Sequence, residues 1–120
     1  MQKFALETKD VAEGKTSVVE VSGTEIGIAL HQGKYYAYRN ICPHQGGPVC
    51  EGMQMPRVTG EFTDSGAFER HNFDTTEMHL VCPWHGWEFD IATGEAVGDR
   101  SIRLESYAVS ERDGKLYVDI

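Results

Sequence analysis

Basic side chains are scarce in this chain: 11 Lys and Arg stand against 19 Asp and Glu in 120 residues, a net charge of −8. A chain of that sign is repelled by phosphate backbones and anionic membrane surfaces, so neither nucleic acid nor a lipid surface is expected as its main partner. Long hydrophobic runs are missing too. No apolar stretch approaches the 18 or so residues of a spanning helix, and the opening M-Q-K-F-A-L-E-T-K-D lacks the apolar core of a signal peptide. Three cysteines, an odd number, fit no disulfide framework, and a reducing cytoplasm is the expected compartment. No G-x-G-x-x-G offers a dinucleotide cradle. The segment E-R-H-N-F-D-T-T-E-M-H at 69–79 lacks the D/E-x2-H-x4–5-H spacing of a mononuclear iron site, so no catalytic iron centre is expected.

What the chain does have is 40% hydrophobic residues, enough for one folded domain, and 13 glycines, more than an average share. Its elements read as short strands, so the fold class is all-β and antiparallel. Strands are expected over 16–22, 25–31, 34–39, 79–82, 87–91, 104–110 and 115–120. Ser22-Gly23, Gln32-Gly33 and Asp113-Gly114 supply hairpin turns. Residues 8–14 carry the one hint of a helical turn. Residues 1–40 and 100–120 look like one sheet system, interrupted by 41–99, which hold most of the Gly, Pro, Cys and His. Within that middle part 51–78 is irregular, a functional excursion or a segment with a short hairpin near Thr63-Asp64-Ser65-Gly66.

Two motifs carry chemistry: C-P-H-Q-G-G at 42–47 and C-P-W-H-G-W at 82–87. Each offers one thiolate and one imidazole, with Pro after the Cys and Gly after the His. Two soft sulfurs and two imidazoles suit zinc or an iron–sulfur cluster. Zinc knuckles usually pair a Cys-only arm with a His-only arm, whereas both arms here are mixed. Mixed arms can place both cysteines on one iron and both histidines on another, as in a Rieske centre.

These loops resemble the cluster loops of Rieske proteins, especially those serving bacterial ring-hydroxylating oxygenases, and F-D-I-A-T-G at 89–94 resembles the strand and turn that follow. The resemblance spans 25–120. It implies a small Rieske-type β-sandwich or barrel, a single domain over 1–120 with a cluster-binding part at 41–99 and a long insertion at about 51–78. It implies a [2Fe–2S] cluster with Cys42 and Cys82 on the buried iron and His44 and His85 on the outer one. Gly46, Gly47 and Gly86 would let backbone N–H groups approach the sulfurs, and Trp84 and Trp87 would cover the cluster. High-potential members add an inter-loop disulfide, a Ser and a Tyr; the matching positions here are Gly47 and Trp84, Trp87, and Phe89, none of which can serve. A low potential is implied.

The function implied is that of a soluble one-electron carrier, taking electrons from a reductase and passing them to a terminal oxidoreductase such as an oxygenase, and a monomer when free. The alternatives are a non-catalytic small subunit of a larger reductase, as in nitrite reductase, and a structural zinc module. Cys50 reads as a small buried hydrophobe, and His31, His71 and His79 as ordinary surface or loop residues. The insertion departs from the family: 37 residues separate His44 from Cys82, and 51–79 carry six acidic and two basic side chains, half of the net charge.

Overall fold

Among the residues it describes, the computed structural model has ten strands in three antiparallel sheets. It describes residues 1–43, 46–62, 68–84 and 86–120, and their side chains except at 57–62 and 68–76. β1 (Gln2–Glu7), β10 (Lys115–Asp119) and β9 (Val109–Arg112) form the first sheet. β2 (Ser17–Val21), β3 (Thr24–His31), β4 (Lys34–Arg39) and β8 (Ser106–Tyr107) form the second. β5 (Gln54–Phe62), β6 (Phe68–Val81) and β7 (Glu88–Asp90) form the third.

The three expected X-Gly turns close two-residue hairpins. Ser22, Gln32 and Asp113 take φ values of 53°, 50° and 52°, each followed by a glycine also at positive φ, the backbone that matches the right-handed twist of paired strands. The helical hint at 8–14 is a single 3-10 turn, Thr8–Asp10. Two expectations need correction. Residues 2–7, not read as a strand, pair with β10. The expected single sheet system at the two ends of the chain is two sheets, because the chain leaves one for the other at Ala108, between β8 and β9.

The middle sheet is buried on both sides, and β3 therefore reads as an almost unbroken apolar run. Its Ile26 and Ile28, with Ala37 of β4, pack against Leu116 and Val118 of the first sheet. Ala29 and Tyr38, on the other face, pack with Leu80, Phe89, Ile91, Cys42, Cys50 and Cys82. The second cluster of side chains is the floor under both cysteine loops.

The insertion is a β-ribbon rather than an irregular loop. β5 and β6 pair from Gln54 opposite Leu80 out to Phe62 opposite Phe68, with Arg57 opposite Asp74 and Glu61 opposite Arg70. The register slips between Pro56 and Arg57, where residues 75–77 form an extra stretch on β6. Pro56 has no N–H to give to a ladder and sits on the edge strand, where that is tolerated. The expected turn at 63–66 lies outside the described residues.

Candidate metal centre

The first loop leaves β4 and is stapled at its ends by one side chain. Asn40 is buried; its Oδ1 accepts the Cys50 N–H at 2.9 Å and its Nδ2 donates to Glu51 at 2.9 Å. Between those ends the loop curls on itself. Cys42 N–H donates to the Gly47 carbonyl and Gly46 N–H to the Cys42 carbonyl, both at 2.7 Å. Gly46 reaches this turn at φ +77°, a conformation natural to glycine. Its N–H therefore closes the loop.

The second loop is a tight excursion between β6 and β7. Val81 pairs with Glu88 at its stem, Cys82 N–H donates to the Trp87 carbonyl at 2.7 Å, and Gly86 turns the chain at φ +69°. Val81 N–H also donates to the Met53 carbonyl at 3.0 Å, tying this stem to the residues that follow the first loop.

Together these bonds bring Cys42 and Cys82 side by side, both almost fully buried. Burial pushes the Cys82 thiol up from its ordinary value, and the hydrogen bond and charge of Cys42 push it further, against a lowering by the Trp84 backbone. Two adjacent thiols resist ionising together unless a cation sits between them, and a metal centre supplies that positive charge. The donor set thus fits a thiolate-bound metal group. Gly47 is essential to the approach: a β-carbon there would lie 2.9 Å from the Trp84 ring and 3.1 Å from the Cys82 sulfur. Trp84 is half exposed over this junction, and Trp87 packs on the core beside Phe89 with ring centroids 6.4 Å apart.

His44 and His85 lie outside the described residues, as does the side chain of His71. The third cysteine is separate. Cys50 is buried beneath the loop, its Sγ 3.6 Å from the Tyr38 carbonyl, and burial raises its thiol to about 12. It is the buried hydrophobe expected. His31 and His79 are not surface residues: both are buried, and His79 stands between Glu77 and Glu88. Alternation of polar residues in E-M-H-L-V hid it, because its second partner arrives only through the β6–β7 register. Among the described residues, no helix is long and apolar enough to cross a membrane.

A small all-β domain presenting two buried cysteines from two facing loops is a metal-centre scaffold of the iron–sulfur kind. The chain belongs to the Rieske [2Fe–2S] domain family, whose model matches residues 2–108, and its cofactor is accordingly a [2Fe–2S] cluster. It is 25% identical, over 91% of its length and 73% of the relative's, to the ferredoxin component of the alkene monooxygenase system of Xanthobacter autotrophicus. Its fold is similar to that of a Sphingomonas yanoikuyae B1 ferredoxin, with a TM-score of 0.71 at 22% identity, covering 100% of this chain and 99% of that one. It is also similar in fold to a candidate NADH-dependent nitrite reductase small subunit from Mycobacterium tuberculosis, with a TM-score of 0.70 at 16% identity, covering 98% and 93%.

Proposed function

We propose that the protein is a one-electron carrier whose [2Fe–2S] cluster is held by Cys42 and Cys82 on one iron and His44 and His85 on the other. The chain would be a single Rieske domain with residues 41–99 as its cluster-binding part. The observation that carries the reading is the side-by-side burial of Cys42 and Cys82 at the junction of two loops, in a chain of the Rieske family. The cluster supplies a one-electron redox couple. The protein's own part is to exclude water beneath it with Leu80, Phe89 and Val49, to admit the second loop over Gly47, and to cover the junction with Trp84 and Trp87.

A carrier must also be able to touch its partners. Ile41, Met53 and Trp84 are exposed around the loops, and apolar groups in the open at one end of a domain suit a transient contact. The acidic balance suits partners with basic faces. Relatives that are ferredoxin components of oxygenase systems support a reductase as donor and an oxygenase as terminal acceptor, working with a soluble protein in the cytoplasm. The fixed-subunit reading draws on likeness of fold at 15% and 16% identity. Gel filtration of the native protein from cell extract tests the choice: a carrier elutes as a free monomer, whereas a fixed subunit elutes with a large reductase.

A further inference from the structure

One buried titratable residue has no part in holding the cluster. β6 and β7 pair with His79 opposite Asp90, Leu80 opposite Phe89 and Val81 opposite Glu88. Alternation sends Leu80 and Phe89 to the core and leaves Glu77, His79, Glu88 and Asp90 on the other face of the sheet. There the His79 side chain is 4% exposed. Its Nε2 lies 2.7 Å from Glu77 Oε2, and its Nδ1 lies 3.2 Å from Glu88 Oε1.

A neutral imidazole has one N–H and one bare nitrogen, and a carboxylate only accepts. A bare nitrogen against a carboxylate would set lone pair against lone pair. Both contacts are satisfied together when both ring nitrogens carry protons. Glu77 and Glu88 keep 24% and 46% of their side chains in water, while the ring between them is enclosed. Among the described residues, Asp90 and Arg100 at this face are matched to other partners. Asp90 accepts the Ala92 N–H at 2.9 Å and faces Arg100 at 3.5 Å, and Arg100 also lies 3.7 Å from Glu95.

We propose that His79 is a positioning residue held as an imidazolium between Glu77 and Glu88 at the stem of the second ligand loop, where its charge favours the reduced cluster. This rests on the cluster reading above. His79 stands three residues before Cys82, roughly 10 Å along the strand, and Glu88 is the first residue paired after the loop. Reduction adds one negative charge to the cluster. A cation at that distance stabilises the added charge, and screening by salt is weak for an enclosed group. The two carboxylates act in the opposite sense, so the unit carries a net charge of −1 (one imidazolium against two carboxylates).

Counting charge gives a test that a purely structural role would fail. His79→Gln takes the unit to −2, Glu77→Gln takes it to zero, and the double variant returns it to −1. The midpoint potentials of the cluster-loaded proteins are measured by protein-film voltammetry at pH 7 and one ionic strength. Iron content and visible spectrum are recorded first, so that loss of the cluster is seen separately from a shift of its potential. The expected result is a fall for His79→Gln, a rise for Glu77→Gln, each several-fold in the reduced-to-oxidised ratio at fixed solution potential, and a double variant that matches wild type. Were His79 neutral, His79→Gln would leave the potential unchanged and the double variant would match Glu77→Gln; either result overturns the proposal. If His79→Gln does not fold, the double variant decides alone, supporting the proposal when it falls below Glu77→Gln and overturning it when the two coincide.

Discussion

Gly47 lies so close to Cys82, across the junction of the two loops, that a β-carbon on it would stand 3.1 Å from the sulfur. The same carbon would press on the Trp84 ring, at 2.9 Å. Gly47→Ala is therefore expected to push the loops apart rather than fill a gap, at a cost of about 1–3 kcal/mol, the usual range for overpacking. Thermal unfolding and the rate of bleaching of the visible spectrum in air check this. The variant should unfold at a lower temperature and bleach faster than wild type, and an unchanged bleaching rate would remove Gly47 from the site.

Cys50 supplies the opposite case. Its thiol is held in the core and raised to about 12, so at neutral pH it stays protonated and offers no thiolate to a metal or an alkylating reagent. Cys50→Ala should keep a normal cluster spectrum and iron content while losing about 1–2 kcal/mol of stability from the lost contacts. Alkylation of the folded wild type by iodoacetamide should leave Cys50 unmodified, as read by peptide mass spectrometry.

The β5–β6 ribbon should matter to partners and not to the cluster. Residues 51–79 carry a net charge of −4, and only the base of the ribbon is continuous with β7. Replacing 58–73 with Asn-Gly keeps the pairs from Gln54 to Arg57 and should leave the spectrum intact. Reduction by a flavin-dependent reductase with a basic docking face should slow at low ionic strength, and its salt dependence should flatten. Stopped-flow reduction over a range of salt concentrations measures both; identical curves for the two proteins would make the ribbon a passive excursion.

Much of this was legible from local signals. Hairpins marked by Ser22-Gly23, Gln32-Gly33 and Asp113-Gly114 depend on residues next to each other, and the backbone adopts the expected turns. The two cysteine motifs were legible for the same reason. What escaped depends on distant pairing. β1 is polar enough to pass for a tail, and it becomes a strand by closing on β10 at the far end of the chain. The ribbon lacks clean alternation because its register slips twice, after Pro56 and after Glu61. His79 looked like a surface residue because it alternates with the apolar Met78 and Leu80, and nothing in the chain order announces that Glu88 will meet it.

The potential follows from what the loops cannot donate. Gly47 and Trp84 face one another, so no disulfide joins the loops at that place. Phe89, fully buried, brings no hydroxyl to the thiolates. With those donors missing the reduced cluster loses stabilisation, and the midpoint should lie near the low end of the Rieske range, roughly −150 mV to zero. Phe89→Tyr combined with Trp87→Ser should raise it. Voltammetry at neutral pH reads both values, and a wild-type midpoint above roughly +200 mV, high in that range, would contradict the low-potential reading.

The account turns on four ligands from two loops, and a single set of preparations tests it most directly. Iron and acid-labile sulfide are quantified, with the visible spectrum, in wild type and in Cys42→Ser, His44→Ala, Cys82→Ser and His85→Ala, with Cys50→Ala as the control. About two irons and two sulfides per chain are expected in wild type and in the control, as a [2Fe–2S] cluster requires, and each of the four ligand variants should lose the cluster. A ligand variant that keeps the full iron content and an unaltered spectrum, or a wild-type protein that holds zinc and no sulfide, would contradict the assignment.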